Sequence, residues 1–136
     1  MLDTCVLSEM VKPQPNPGLV AWLRGQKADT LFICSISLGE LRKGIDRMPV
    51  GKKRHDLTLW LMGLTRGYEG RFLDFDSESA LAWGALSANL ESAGTPMPVI
   101  DAMLAACAMR HGCTLVTRNE RDYQRAGAPI LNPWSA

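Results

Sequence analysis

Asp101 is the one charged residue in an otherwise apolar or proline run from Met97 to Met109. Most of that run favours helix, with Pro98 suited to a first turn and Gly112 to a stop. A helix that is apolar all round is a buried helix. An ionised carboxylate in its first turn is costly unless it is hydrogen-bonded, paired or metal-bound. Asp101 is therefore either a carboxylate that helps to cap free N–H groups at a helix start or a metal ligand. The second role needs partners elsewhere, and Asp3, Glu40, Asn119 and Asp122 are the candidates. Carboxylates gathered within a few ångströms repel, at about 1–4 kcal/mol for each close pair. A cation removes that cost, and a ligand set made only of oxygen selects a hard ion, Mg²⁺ or Mn²⁺. Such an ion binds phosphates, and one of its waters can attack a phosphodiester.

The elements that must gather these residues follow from hydrophobic pattern. Met1 to Asp3 reads as the end of a short strand, and Thr4 to Glu9 as a short helix. Asn16-Pro17 starts a helix that runs from Gly18 to about Lys27, with an N-cap and a proline at its first position. Thr30 to Cys34 is a continuous apolar run, as in a buried parallel strand. Ser35 or Ser37 is expected to cap the helix after it, which puts Glu40 in that helix's first turn. A helix over about 53–68 carries Leu57, Trp60, Leu61 and Leu64 at helical spacing. Arg71 to Phe75 reads as a strand, and Asp76 or Ser77 as the cap of a helix reaching about Ala93. Cys113 to Thr117 and Pro129 to Leu131 are the last strands, with a helical turn from Tyr123 to Ala126 between them.

Alternating strands and helices imply an α/β fold, a parallel sheet covered on both faces, and 136 residues suit a single domain over 1–136. Sites in such folds lie at the carboxyl ends of the strands. Asp3 ends the first strand, Glu40 follows the second, and Asn119 and Asp122 follow the Cys113–Thr117 strand. The loop from Gly94 to Pro98 can bring Asp101 to the same edge. Asn119 also suits a helix cap, and Asp122 an ordinary solvated acid.

Composition narrows the classes. No apolar run is long enough to span a bilayer, and the first residues lack the basic start and apolar stretch of a signal peptide. Cys5, Cys34, Cys107 and Cys113 have no CxxC spacing, so zinc is not expected and reduced thiols in a cytoplasmic protein are. Net charge is only +1. The local run of Arg42, Lys43, Arg47, Lys52, Lys53 and Arg54 is either a solvated helix face or a track for a nucleic-acid backbone.

Four separated motifs agree with one family. They are Leu2-Asp3-Thr4 with Val6-Leu7-Ser8-Glu9; Ile36-Ser37 with Gly39-Glu40-Leu41 and Gly44-Ile45; Asp101-Ala102 with Ala105-Ala106; and Leu115-Val116-Thr117-Arg118-Asn119 with Asp122-Tyr123. In this order they resemble the PIN-domain family, and most closely the VapC/FitB-type toxins of bacterial toxin–antitoxin pairs. The resemblance covers nearly the whole chain. It implies a three-layer sandwich with a short parallel sheet, and an Mg²⁺-dependent (or Mn²⁺-dependent) endoribonuclease. Asp3, Glu40 and Asp101 match the core acids that hold the metal. Asn119 stands where many members have Asp, with Asp122 one helical turn further on. Thr4, Ser8 and Thr117 match polar residues that support the cluster by hydrogen bonds. The basic run is assigned to RNA. The implied partners are a small antitoxin of the VapB/FitA kind and an RNA substrate. The basic unit is a homodimer, of higher order with antitoxin. Operator DNA is reached only through the antitoxin, and no membrane is involved. Two departures stand out: Cys5 occupies a position that commonly holds Asn, and only Met1 and Leu2 precede the first acid.

The rival expectation is a non-catalytic binding module that acts as corepressor with an operator-binding antitoxin. A phosphotransferase of the haloacid dehalogenase type would need a second Asp two residues after Asp3, where Cys5 stands. A receiver domain would need paired acids near the first strand and a late strand-end Lys.

Overall fold

A computed structural model describes residues 1–135. Among them, helices and two-residue strands follow in the order α1 (Thr4–Met10), α2 (Pro17–Arg24), β1 (Ile33–Cys34), α3 (Ser35–Asp46), α4 (Lys52–Gly67), β2 (Phe72–Leu73), α5 (Ser77–Ser92), α6 (Val99–Arg110), β3 (Leu115–Val116), α7 (Glu120–Ala126) and β4 (Ile130–Leu131). β1 pairs with β2 and β3 with β4, both parallel. Leu2 joins the two pairs, bridging Ile33 on one side and Val116 on the other. The spatial order is therefore β2–β1–Leu2–β3–β4.

The expected first strand is thus a single bridged residue, yet its backbone is held from both sides. Leu2 N–H donates to Phe32 O at 2.8 Å, Asp3 N–H to Val116 O at 3.0 Å, and Val116 N–H to Met1 O at 2.9 Å.

Successive strand residues point to opposite faces of a sheet, and here each face has its own core. Met1, Cys34 and Leu115 pack with Leu104, Ala105, Cys107, Ala108, Tyr123 and Ala126 of α6 and α7. Their neighbours Leu2, Ile33 and Val116 pack with Val6, Leu7, Leu19 and Leu41 of α1, α2 and α3. Short as they are, the strands divide the molecule into a three-layer α/β sandwich.

Several local details differ from expectation. α2 stops at Arg24, with Gly25 as its C-cap. Neither Ser35 nor Ser37 caps α3: Cys34 occupies the cap position without a side-chain bond. Ser35 Oγ instead accepts from Phe75 N–H at 3.1 Å, across the sheet edge. α3 consequently begins at Ser35, and Glu40 lies in its second turn. Pro98 sits at the N-cap of α6 rather than inside its first turn. α6 is buried at Ala102 and from Leu104 to Ala108, but Val99 and Ile100 are 58% and 38% exposed and Met109 is exposed at the other end, so only its middle enters the core. Gly112 ends this helix with φ 65°, a conformation open to glycine, and Cys113 N–H returns to Ala108 O at 2.9 Å.

Asn16 and Asp76 cap their helices as expected, accepting from Leu19 N–H at 3.1 Å and Ser79 N–H at 2.8 Å. All four cysteines are free, with Cys34 and Cys107 buried. Among the described residues, no helix is long and apolar enough to cross a membrane.

Candidate active site

Asp3 directly follows the Leu2 bridge and is 3% exposed. Its carboxylate is held by donors from three segments. Oδ1 accepts from Thr4 N–H at 2.8 Å and lies 3.4 Å from the Tyr123 hydroxyl. Oδ2 accepts from Thr117 Oγ1 at 2.7 Å and from the Cys5 thiol at 3.4 Å. Cys5 thus supplies a donor where the family commonly has an amide. Burial, and next the charge of Asp3, push that thiol up to about 11, so it keeps the proton it donates.

Glu40 reaches the same edge from the second turn of α3. Its Oε1 accepts from Thr4 Oγ1 at 2.6 Å, and Thr4 Oγ1 lies 2.9 Å from Ser37 Oγ. Thr4 therefore links the first two acids: its N–H holds Asp3 and its hydroxyl holds Glu40.

Asp101 comes from the first turn of α6, and it is not a helix cap. Its only hydrogen bond among the described residues is from the Tyr123 hydroxyl to Oδ1, at 3.4 Å. Burial raises the affinity of this carboxyl for its proton, and the charges of Asp3, Asp122 and Glu40 raise it further, against the opposing Tyr123 bond. The charges of the other three acids thus all reach Asp101.

Asp122 is half-buried, on the first turn of α7. Asn119 occupies the N-cap of α7, but its side chain makes no cap bond and the residue is exposed. Its backbone N–H donates to Thr117 Oγ1 at 3.0 Å, so Thr117 joins the α7 turn to Asp3. Ser8 is exposed and takes no part in the hydrogen bonds of the cluster. It lies with Thr4 and Glu40 along a small groove against α4.

Sequence reasoning missed Tyr123 and the role of Ser37. Tyr123 is fully buried, and its hydroxyl points at Asp3 and Asp101. Burial, then those two carboxylates, raise its affinity for its proton, so it remains a phenol. The available signal was a tyrosine at an apolar position of α7, where a buried hydroxyl must find partners.

The basic run divides. Lys43 and Arg47 line a cleft of about 530 Å³ with Glu40, Gly39, Gly44 and Ile100. Arg42 instead pairs with Asp46 at 2.8 Å, and Arg54 approaches Asp46 at 3.9 Å. Lys52 and Lys53 line a separate groove with Val11, Pro13 and Leu57. The run is therefore not one continuous track.

Among the described residues, no Lys or Arg forms a salt bridge with Asp3, Glu40, Asp101 or Asp122. Nor do three acidic, Cys or His side chains there form a closed ligand set for a metal ion. The unpaired acids are the donor type that a hard divalent cation of the Mg²⁺ kind would use. Such an ion takes oxygen donors, keeps several waters and needs only one or two carboxylates directly. Repulsion between neighbouring carboxylates is offset by hydrogen-bond donors, by protonation or by a cation between them.

The PIN domain profile matches residues 1–128. Plasmid stability protein StbB of Pseudomonas syringae pv. tomato is 36% identical, covering 100% of this chain and 99% of that protein. VapC ribonuclease Y4jK of Sinorhizobium fredii is 35% identical, covering 98% and 96%. The crystal structure of FitAcB from Neisseria gonorrhoeae superimposes with a TM-score of 0.93 at 32% identity, over 99% of this chain and 98% of that one. A structure of FitAB bound to an IR36 DNA fragment gives 0.92 at 30% identity, over 98% and 94%. One fold, one profile spanning nearly the whole chain and relatives aligned end to end place this protein in the PIN-domain family, alongside the VapC and FitB proteins.

Proposed function

We propose that the chain is a metal-dependent endoribonuclease, the toxin of a type II toxin–antitoxin pair. The observation that supports this most directly is the acid edge. Asp3, Glu40, Asp101 and Asp122 come from four segments, repel one another and have no cationic side chain paired with them among the described residues. Asp3, Glu40 and Asp101 would hold Mg²⁺ or Mn²⁺, with Asn119 or Asp122 completing the site. The ion, when bound, lowers the pKa of water and offsets charge on a phosphodiester.

The chain's own residues do the rest. Thr4, Thr117 and Cys5 fix the Asp3 carboxylate, whereas Asp101 is held only by the Tyr123 hydroxyl among the described residues. Lys43 and Arg47 lie beside Glu40 and would take the RNA phosphates that approach it. Ile100, exposed at the rim of the same cleft, offers an apolar surface to a base.

The solved FitAB complex bound to a DNA fragment supports an antitoxin as partner; operator DNA reached through that antitoxin and a homodimer as the basic unit belong to the same proposal. Cleavage of single-stranded RNA by the isolated protein tests the reading. Cleavage should require Mg²⁺ or Mn²⁺, be lost on chelation, and be absent from the Asp101→Asn variant. Metal-independent cleavage, or none under any metal, would defeat it. Replacing Lys43 and Arg47 by Ala should reduce the salt slope of RNA binding by about 0.7 for each phosphate no longer neutralised. Lys52→Ala with Lys53→Ala should change it less.

A further inference from the structure

Tyr123 is the largest fully buried side chain of the protein, and its phenol is aimed at the acids. The ring is clamped in the core formed with Leu104, Ala105, Ala108 and Ala126, so the hydroxyl is delivered at a fixed height. Its hydrogen-bond partners among the described residues are Asp3 Oδ1 and Asp101 Oδ1, each at 3.4 Å. One atom thus touches both carboxylates, which come from segments far apart in the chain.

We propose that Tyr123 is a positioning residue of the metal site: its hydroxyl sets the spacing and aim of the Asp3 and Asp101 carboxylates. This rests on the reading of those acids as metal ligands. A phenol has one proton. It donates to one carboxylate at a time, so it holds either acid in turn and neutralises neither. By engaging Oδ1 of Asp101 it leaves Oδ2 without a protein hydrogen bond and open to a cation. Asp3 needs the tether less, since Thr4 and Thr117 already hold it. Asp101 has no other restraint on its carboxylate among the described residues, so the effect falls on Asp101.

Tyr123→Phe keeps the ring and removes the hydroxyl. Mn²⁺ affinity should be measured by calorimetry on wild type and variant, with circular dichroism and RNA cleavage alongside. The expected result is an unchanged spectrum, about tenfold weaker Mn²⁺ binding, and cleavage that recovers when Mn²⁺ is raised to saturation. Recovery separates positioning from a packing defect, which added metal would not repair. Equal or tighter Mn²⁺ binding by the variant overturns the inference, as does a cleavage loss that saturating Mn²⁺ fails to restore. A wild type that binds no Mn²⁺ defeats the metal reading itself, and is distinguishable because the comparison with Tyr123→Phe then has no signal to lose.

Discussion

Asp3 and Asp101 face the same small volume but are held in opposite ways. Asp3 is buried and has three donors of its own around its two oxygens, and shares the Tyr123 hydroxyl with Asp101. Asp101 is half-buried, has one long bond from a phenol, and sits under the repulsion of its neighbours. The first is an anchor built into the fold. The second is an arm whose charge the proposed cation would satisfy. A site of this kind needs both, since fixed ligands alone cannot adapt to the ion and free ones alone define no position.

The contrast is broken most sharply by the two amide substitutions. Asp3→Asn and Asp101→Asn should each lower RNA cleavage by about a thousandfold, because each removes several kcal/mol of charge stabilisation. Their stabilities should part. Asp3→Asn presents an amide to donors that require an acceptor, and an unsatisfied buried donor costs about 1–3 kcal/mol. Asp101→Asn relieves repulsion and should leave the metal-free protein at least as stable. Urea melts of both variants in chelator decide the matter, and equal destabilisation would erase the distinction between anchor and arm.

Thr117→Val probes the anchor through its support. It removes the donor to Asp3 Oδ2 and the acceptor of Asn119 N–H. Mn²⁺ affinity should fall about 10–100-fold. Asp122→Ala and Asn119→Ala probe the side of the arm. Asp122 acts on Asp101 through its charge, whereas Asn119 is exposed, so Asp122→Ala should weaken Mn²⁺ binding about tenfold and Asn119→Ala should leave it unchanged. The reverse order would make Asn119 the residue that completes the site.

The smallest expected effect is on pH dependence. A carboxyl whose folded-state pKa is raised binds its proton more tightly in the folded protein. The resulting penalty is absent below the ordinary value of 3.8, grows as pH rises through the raised value, and is fully present at neutral pH. Metal-free wild type should therefore lose stability relative to Asp101→Asn as pH rises through the acid range. Parallel melting curves across that range would show that Asp101 carries no such penalty.

The fold, and the sheet edge on which Asp3 and Glu40 stand, were legible because they rest on patterns that survive without coordinates. Apolar runs mark the strands, and carboxyl strand ends mark the edge where Asp3 and Glu40 gather. The start of α6 misled in part. Its run is apolar throughout, but Val99 and Ile100 precede the turn that enters the core, and periodicity does not say where burial begins. The α3 cap misled for a different reason. Ser35 and Ser37 are both good caps, yet tertiary partners, the Phe75 amide and Thr4, lie near their hydroxyls instead. The basic run looked continuous because sequence order hides which face of α3 each side chain takes. Lys43 and Arg47 share the Glu40 side, while Arg42 turns to Asp46. Tyr123 was hidden because a tyrosine in an apolar stripe reads as core, and only its partners reveal the hydroxyl's use.

The bond from Thr117 to Asp3 joins residues 114 positions apart. Asp3 is therefore synthesised well before the strand that completes its surroundings. At cellular rates of chain elongation, on the order of ten seconds separates the two. During that interval the nascent chain has no assembled acid edge, whatever its local helices have done. The acid edge can assemble only once Thr117 has been made.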